Sequence, residues 1–302
     1  MTDLKERRRR SPKTAPRAET LGKGEPTPPR RRRRRRDLGA LFGLIWLTVI
    51  VVSAIIADWL PLPDPAAVDD VYAAEPRLGA HLLGTDVIGR DMLSRCVYGA
   101  RVSLAVGVGA TALALVVGVT LGMLSGYFRG WVDSLISLLL NFLMAFPPLV
   151  FLIALVGALQ PSITNLVLGL GLMGVPNFAR VARANTIAYA GREFVTAAKA
   201  LGASPFRVLR RELLVNVMLP VMSMTLVVMA ALVVAEGSLS FLGLGVPPPS
   251  PSWGGMLASG RDRLDESPHL VLIPALFFFF TVFAFNRLGD WARGRIGRES
   301  SL

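Results

Sequence analysis

The chain has 302 residues, of which 52% are hydrophobic and 18% charged, with a mean hydropathy of +0.51 and a formal net charge of +12. That balance excludes an ordinary soluble domain and describes a chain that crosses a membrane several times. The lone cysteine, Cys96, excludes an intramolecular disulfide, and two histidines, His81 and His269, cannot assemble a Cys/His metal cluster.

Residues 1–37 hold 15 of the 33 Lys and Arg, in blocks such as Arg7–Arg10 and Arg30–Arg36. With almost no large apolar side chain this segment cannot offset its ordering entropy, so it is predicted to be a disordered, Arg-rich cytoplasmic tail. No aromatics are interleaved to stack bases, so anionic membrane lipid is the expected contact and no nucleic acid is expected. Residues 38–60 form an apolar run of span length. This is too long for a signal-peptide core and is predicted to be the first transmembrane helix, starting in the cytoplasm.

Residues 61–101 are polar and rich in Asp, which suits the extracytoplasmic side. Within them Gly84-Thr85-Asp86 predicts a turn that leads, past Gly89-Arg90-Asp91, into a short amphipathic helix with Val87, Ile88, Met92 and Leu93 on one side. A phosphate-loop or calcium-loop reading fails, because no strand precedes the glycines and neither a Lys-Ser/Thr pair nor an acidic cluster follows.

Residues 102–290 carry five more predicted spans. The second, near 102–124, has Gly107, Gly109, Gly118 and Gly122 at spacings that let helices approach closely in lipid. The third, near 132–159, is interrupted by Phe146-Pro147-Pro148, with Asn141 one turn before the break as a polar group for an interhelical hydrogen bond or for the pathway. The fourth, near 163–182, is predicted to be broken at Gly174-Val175-Pro176 and ends at Arg180 and Arg183, the mark of a cytoplasmic edge. The fifth, near 217–234, leads to Glu236, whose carboxyl belongs in the bundle interior or at an aqueous mouth. An outer segment, 235–268, contains a proline run and Trp253 as a predicted interface anchor. The sixth span, near 269–285, runs into Arg287, Arg293, Arg295 and Arg298, so that 291–302 is a second cytoplasmic tail. The fold class is therefore an all-α polytopic membrane protein with six transmembrane helices and both termini cytoplasmic.

Between the fourth and fifth spans lies a charged, small-residue stretch, 192–216. Glu193 to Leu201 and Pro205 to Leu214 read as two short helices joined by Gly202-Ala203-Ser204. Phe194, Ala197, Ala198 and Leu201 share one stripe of the first. Gly202 then suits a left-handed backbone, Ser204 an N-cap and Pro205 the first helical position. In the second helix Phe206, Leu209 and Leu213 oppose Arg207, Arg210 and Arg211. An ordinary surface helix pair is the plain alternative to a docking elbow. The spans lack an array of ionisable residues, and the chain lacks a Walker A loop, H-E-x-x-H and a nucleophile elbow, so it has no engine of its own.

The elbow and a series of blocks resemble one family. These include Gly84-Thr85-Asp86, Gly89-Arg90-Asp91, Ala145-Phe146-Pro147, Ala200-Leu201-Gly202-Ala203, Ser238-Leu239-Ser240-Phe241-Leu242-Gly243, Pro251-Ser252-Trp253-Gly254 and Ala284-Phe285-Asn286-Arg287. Together they resemble the second ("C-type") permease subunit of dipeptide, oligopeptide and nickel ATP-binding-cassette importers, over roughly residues 80–290. The resemblance implies a type I importer permease architecture in a bacterial or archaeal inner membrane. It also implies a homologous second permease, two ATPase subunits that use ATP and Mg, and an extracytoplasmic substrate-binding protein. This chain would be non-catalytic and bind no cofactor or metal, and its elbow would dock on an ATPase. Peptides are the implied cargo, with nickel or another small solute as the alternative. A self-sufficient channel or secondary carrier is the competing class. The chain departs from the family pattern at Thr196, where Glu is usual, at Val215, where Pro is usual, and at Asn141, where Asp is frequent.

Overall fold

The computed structural model describes residues 38–73, 75–76 and 81–299. The Arg-rich segment 1–37, predicted to be disordered, and residues 300–302 lie outside the described residues. Among the described residues the chain is helical, apart from one isolated antiparallel bridge between Thr85 and Asp91.

In chain order the helices are α1 (Leu38–Ile55), α2 (Met92–Phe128), α3 (Gly130–Ala145), α4 (Pro148–Leu159), α5 (Ile163–Ala190) and α6 (Glu193–Ala200). Then come α7 (Pro205–Arg207), α8 (Leu214–Phe241), α9 (Trp253–Gly260) and α10 (His269–Glu299). A π-helical turn, Val208–Leu213, joins α7 to α8 in one continuous rod, Pro205–Phe241. Five helices are long and apolar enough to cross a bilayer, and α3 with α4 forms a sixth candidate bent by 87°.

The register of α2 against α5 decides how that bent pair is counted. A Cβ on Gly109 would meet Val167, one on Gly118 would meet Val175 and Phe178, and one on Gly126 would meet Arg183 and Thr186. Residue numbers rise together along the two helices, so they run parallel. The segment between them, α3 and α4, must therefore carry the chain back from one end of the bundle to the other. It counts as one broken span, which makes six candidate crossings among the described residues.

Gly118, Gly122 and Gly126 make this pairing possible: they recur every four residues on α2 and admit the α5 backbone where any side chain would overlap it. The main core then gathers Val106, Ala110 and Ala114 of α2, Leu166, Leu170 and Phe178 of α5, and Val217, Val221 and Leu239 of α8. A second seam joins α1 to α10 through Trp46, which packs its ring against Phe277 and Phe280 and donates from Nε1 to Thr281 Oγ1 at 3.0 Å. By contrast α3 buries only Leu140, and α4 only Leu152 and Val156.

Several boundaries differ from the sequence expectation. The fourth span is not broken at Gly174-Val175-Pro176: α5 is continuous over Ile163–Ala190 with Pro176 inside it. Val87 and Ile88 are not helical but sit in the turn before α2, which starts at Met92. The second arm of the elbow does not end near Leu214 but continues as the fifth span. Residues 291–299, expected as a tail, extend α10.

Candidate functional site

The elbow sits between the ends of α5 and α8. Its first helix, α6, closes with a turn in which Gly202 N–H donates to Lys199 O at 2.9 Å and Ala203 N–H to Ala198 O at 3.0 Å. This paired arrangement requires a left-handed residue, and Gly202 supplies it with φ +81°. Ser204 then caps α7, its Oγ accepting from Arg207 N at 3.4 Å, and Pro205 occupies the first helical position, where a missing N–H costs nothing. Glu193 lies in the first turn of α6, and Thr196 Oγ1 donates to Arg192 O at 3.4 Å.

The elbow is rooted by Leu209 and Leu213 of the predicted second-helix face together with Val195 and Val208, which lay outside the predicted stripes. Val195, Val208 and Leu213 are fully buried and Leu209 nearly so. The π turn makes this possible, since its extra residue per turn brings Val208, Leu209 and Leu213 inward together. Phe194, Leu201 and Phe206 of the apolar faces point outward: Leu201 is 88% and Phe206 71% exposed. Ala197 is exposed beside them and Ala198 half-buried. Lys199 holds the elbow to α2 with its ammonium 5.1 Å from the Tyr127 ring centroid. Next to it, Arg183 of α5 grips Asp133 of α3 through two hydrogen bonds of 2.6 Å, and Ser125 of α2 donates to the same carboxylate. Neither Val195 nor the Tyr127 contact was legible in the sequence.

At the opposite end, Gly84, Thr85, Asp86, Gly89, Arg90 and Asp91 form a compact turn. Asp86 Oδ1 accepts from the N–H groups of Ile88 (3.0 Å) and Arg90 (2.9 Å), and Asp86 Oδ2 from Arg90 Nε at 2.7 Å. Gly84 and Gly89 take positive φ, and a side chain on Gly89 would overlap the Asp69 carbonyl. Asp91 caps α2, its Oδ2 accepting from Ser94 N at 2.7 Å. Polar segment 61–73 straps across this turn: Thr85 Oγ1 donates to Val71 O (2.6 Å), Ser94 Oγ to Pro63 O (2.7 Å) and Arg95 Nη1 to Pro65 O (3.0 Å). Nearby, Arg101 caps the end of α1 by donating to Ala54 O at 2.9 Å and also meets Asp58. The Arg101 guanidinium, aided by the Tyr98 hydroxyl, holds the Asp58 carboxyl below its usual range.

Trp253 is not an interface anchor. It is fully buried against Gly99 of α2, where its Nε1 donates to Cys96 O at 3.0 Å, and so pins α9 to α2. Glu236 is also fully buried in the bundle, with Oε1 accepting from Ser240 Oγ at 2.7 Å. Asn141 instead is exposed on α3, among Leu138, Phe142 and other uncovered apolar side chains. The three regions are thus separate: an elbow at one end, a strapped cap at the other, and a bent span between. Among the described residues no group of three His, Cys, Asp or Glu could hold a metal ion.

These features define a membrane-embedded helical subunit whose distinct parts lie at its two ends rather than around a reaction centre. Its residues 118–299 match the family model described as the binding-protein-dependent transport system inner membrane component. The chain is 36% identical to the dipeptide transport system permease protein DppC of Alkalihalophilus pseudofirmus over 254 residues, covering 84% of each chain. It is 37% identical to the glutathione transport system permease protein GsiD of Escherichia coli over 256 residues, again covering 84% of each. Among solved structures, an inward-facing form of the MetNI methionine ABC transporter aligns with a TM-score of 0.56 at 16% identity, over 67% of this chain and 97% of that one, which supports the fold. The chain belongs to the family of binding-protein-dependent transport permeases, and it is the non-catalytic inner-membrane component of such a system.

Proposed function

We propose that this permease forms half of a translocation path for short peptides and that the elbow, residues 192–216, couples it to an ATPase subunit. The observation that carries the reading is the outward display of Leu201 and Phe206, 88% and 71% exposed, on a turn whose root is fully buried. Large apolar side chains held rigidly outside the chain's own core are what a partner groove grips. Ala197, Ala198 and Gly202 beside them let that partner approach closely.

Charge supports the orientation. Arg207, Arg210 and Arg211 of the elbow lie at the same end as Arg287, Arg293 and Arg295, while Asp58, Asp64, Asp69, Asp70 and Glu75 lie at the other. The basic end, where α1 starts beside the far part of α10, is the cytoplasmic one by the positive-inside bias. In this arrangement two ATPase subunits, using ATP and Mg, act on the elbows of this chain and of a homologous second permease. A substrate-binding protein delivers cargo to the strapped cap, where Gly84, Thr85, Asp86, Gly89, Arg90, Asp91 and Trp253 fix the local shape. The sparsely buried α3–α4 span, with Asn141, faces the second permease or the path. The named cargoes of the relatives, dipeptides, di- and tripeptides and glutathione, share a short peptide backbone. That favours peptide over nickel.

Gly202 provides the test. A Cβ there would meet nothing within 4 Å, so a side chain starts into open space and acts on the partner contact and on the φ +81° backbone. Gly202→Trp in the assembled transporter is expected to keep ATP hydrolysis but to lower peptide uptake at least ~10-fold, the equivalent of a lost contact of ~1.4 kcal/mol. Uptake at the native level in this variant would refute the docking geometry.

A further inference from the structure

His81 lies between two carboxylates. Its Nδ1 is 3.0 Å from Asp91 Oδ1, and its Nε2 is 3.1 Å from Asp69 Oδ2. A carboxylate only accepts hydrogen bonds, and a neutral imidazole has a single N–H to give. Both contacts are therefore satisfied together only by the doubly protonated ring. Asp69 belongs to the strap that follows α1, and Asp91 is the N-cap of α2, so one proton on one ring closes a link between two segments that the chain separates widely.

We propose that His81 is a proton-operated clasp: with its second proton it fastens strap residues 66–73 to the N-terminus of α2, and without it the strap loosens locally. Among the described residues, Asp69 and Asp91 are the charged groups in contact with the ring. Asp86, the other acid of this turn, is taken up by Arg90 and Arg95. The pair of carboxylates, Asp91 foremost, raises the His81 pKa above 6.5 against the opposing effect of burial. A raised value in the folded state means that the fastening is complete below about pH 6.5 and is lost as pH climbs through the raised value. The response stays local, because bonds that do not titrate also hold the strap: Asp69 N–H to Gly89 O at 3.0 Å and Ala73 N–H to Asp86 O at 2.8 Å. Asp91 keeps capping Ser94 through its other oxygen, so α2 itself is unaffected. The clasp rests on its own geometry and does not depend on the elbow or on the identity of the cargo.

The experiment uses the whole chain in lipid nanodiscs with Val68→Cys carrying a nitroxide label. Val68 is 59% exposed beside the clasp, whereas native Cys96 is fully buried and stays unlabelled. Between about pH 5.5 and about pH 9 the label is expected to pass from an immobile to a mobile spectrum, with a midpoint above 6.5. His81→Gln should abolish the transition. Asp69→Asn, at a carboxylate largely open to solvent, should move its midpoint downward while leaving the fold intact. An unchanged spectrum across the range, or a transition that persists in His81→Gln and is unmoved in Asp69→Asn, overturns the proposal.

Discussion

Glu236 shows how one buried side chain can report on the packing around it. Its Oε2, and Ser103 Oγ on α2, are both buried without a hydrogen-bond partner among the described residues, while Oε1 is held by Ser240. A neutral amide of the same shape keeps the Ser240 bond and adds donors, so Glu236→Gln is expected to melt within about 1 kcal/mol of the parent. Glu236→Lys places a cation where no acid stands opposite, at a cost of about 3–5 kcal/mol, and should sharply reduce folded protein. Thermal denaturation in detergent, followed by size exclusion, separates the two cases; equal melting would mean that the carboxyl reaches water. That Glu236 turns inward was readable from the cost of an acid in lipid. The burial of Trp253 was not, because it depends on what two glycines face across the fold: Gly99, far away in sequence, leaves room for α9 on α2, and the adjacent Gly254 leaves room for it on α8. A Trp at a span edge favours the interface only when no such pocket exists.

At the scale of elements, the pairing of α2 with α5 holds the fold together, and it is held by absence of bulk. In lipid, association gains little from apolar burial and depends on close packing. A Cβ on Gly118 would lie 2.7 Å from Val175 O, and one on Gly126 2.8 Å from Arg183 O. Gly122→Leu, between them, would meet the Ala179 carbonyl and is expected to cost more than about 3 kcal/mol, because backbone cannot step aside as a side chain can. Protein yield and protease resistance in membranes should fall together; native resistance would mean that the two helices are not in this contact. The same packing explains why one proline signal was legible and another misleading. Pro147 and Pro148 fall where α3 and α4 bury only three side chains in all, so nothing opposes the bend. Pro176 is clamped: Gly171 and Gly174 press α5 onto Leu113 and Ala114 of α2, and the helix continues through the missing N–H. Prolines are visible in sequence, but the neighbours that resist them are not. The elbow was legible in its turn, Gly202, Ser204 and Pro205, and in the face formed by Leu209 and Leu213; Val195 and Val208 were hidden, the latter because the π turn brings it inward beside Leu209.

For the whole molecule, the parallel run of α2 and α5 fixes which loops share an end. The turn at Arg129 and Gly130, the elbow and the far end of α10 must lie together, opposite the strap, the turn after α4 and the loop before α9. α2 is also longer than a crossing requires: its 37 residues span about 55 Å against a hydrocarbon core of about 30 Å. The surplus is its N-terminal part, which carries Met92, Cys96 and Gly99 into the cap formed by the strap and α9. Cap and span are therefore parts of one continuous helix, whose other end meets the elbow where Lys199 lies over Tyr127. Single cysteines test this arrangement. With Cys96 buried, substitutions at exposed Trp131 and Leu201 should react with a membrane-impermeant maleimide only in inverted vesicles. Substitutions at exposed Val68, Pro161 and Leu264 should react only in right-side-out ones. Pro161 is the decisive position. If α3 and α4 dipped into the membrane and returned, it would label from the same side as Trp131, and α5 would then have to run antiparallel to α2, against the register set by Gly109, Gly118 and Gly126.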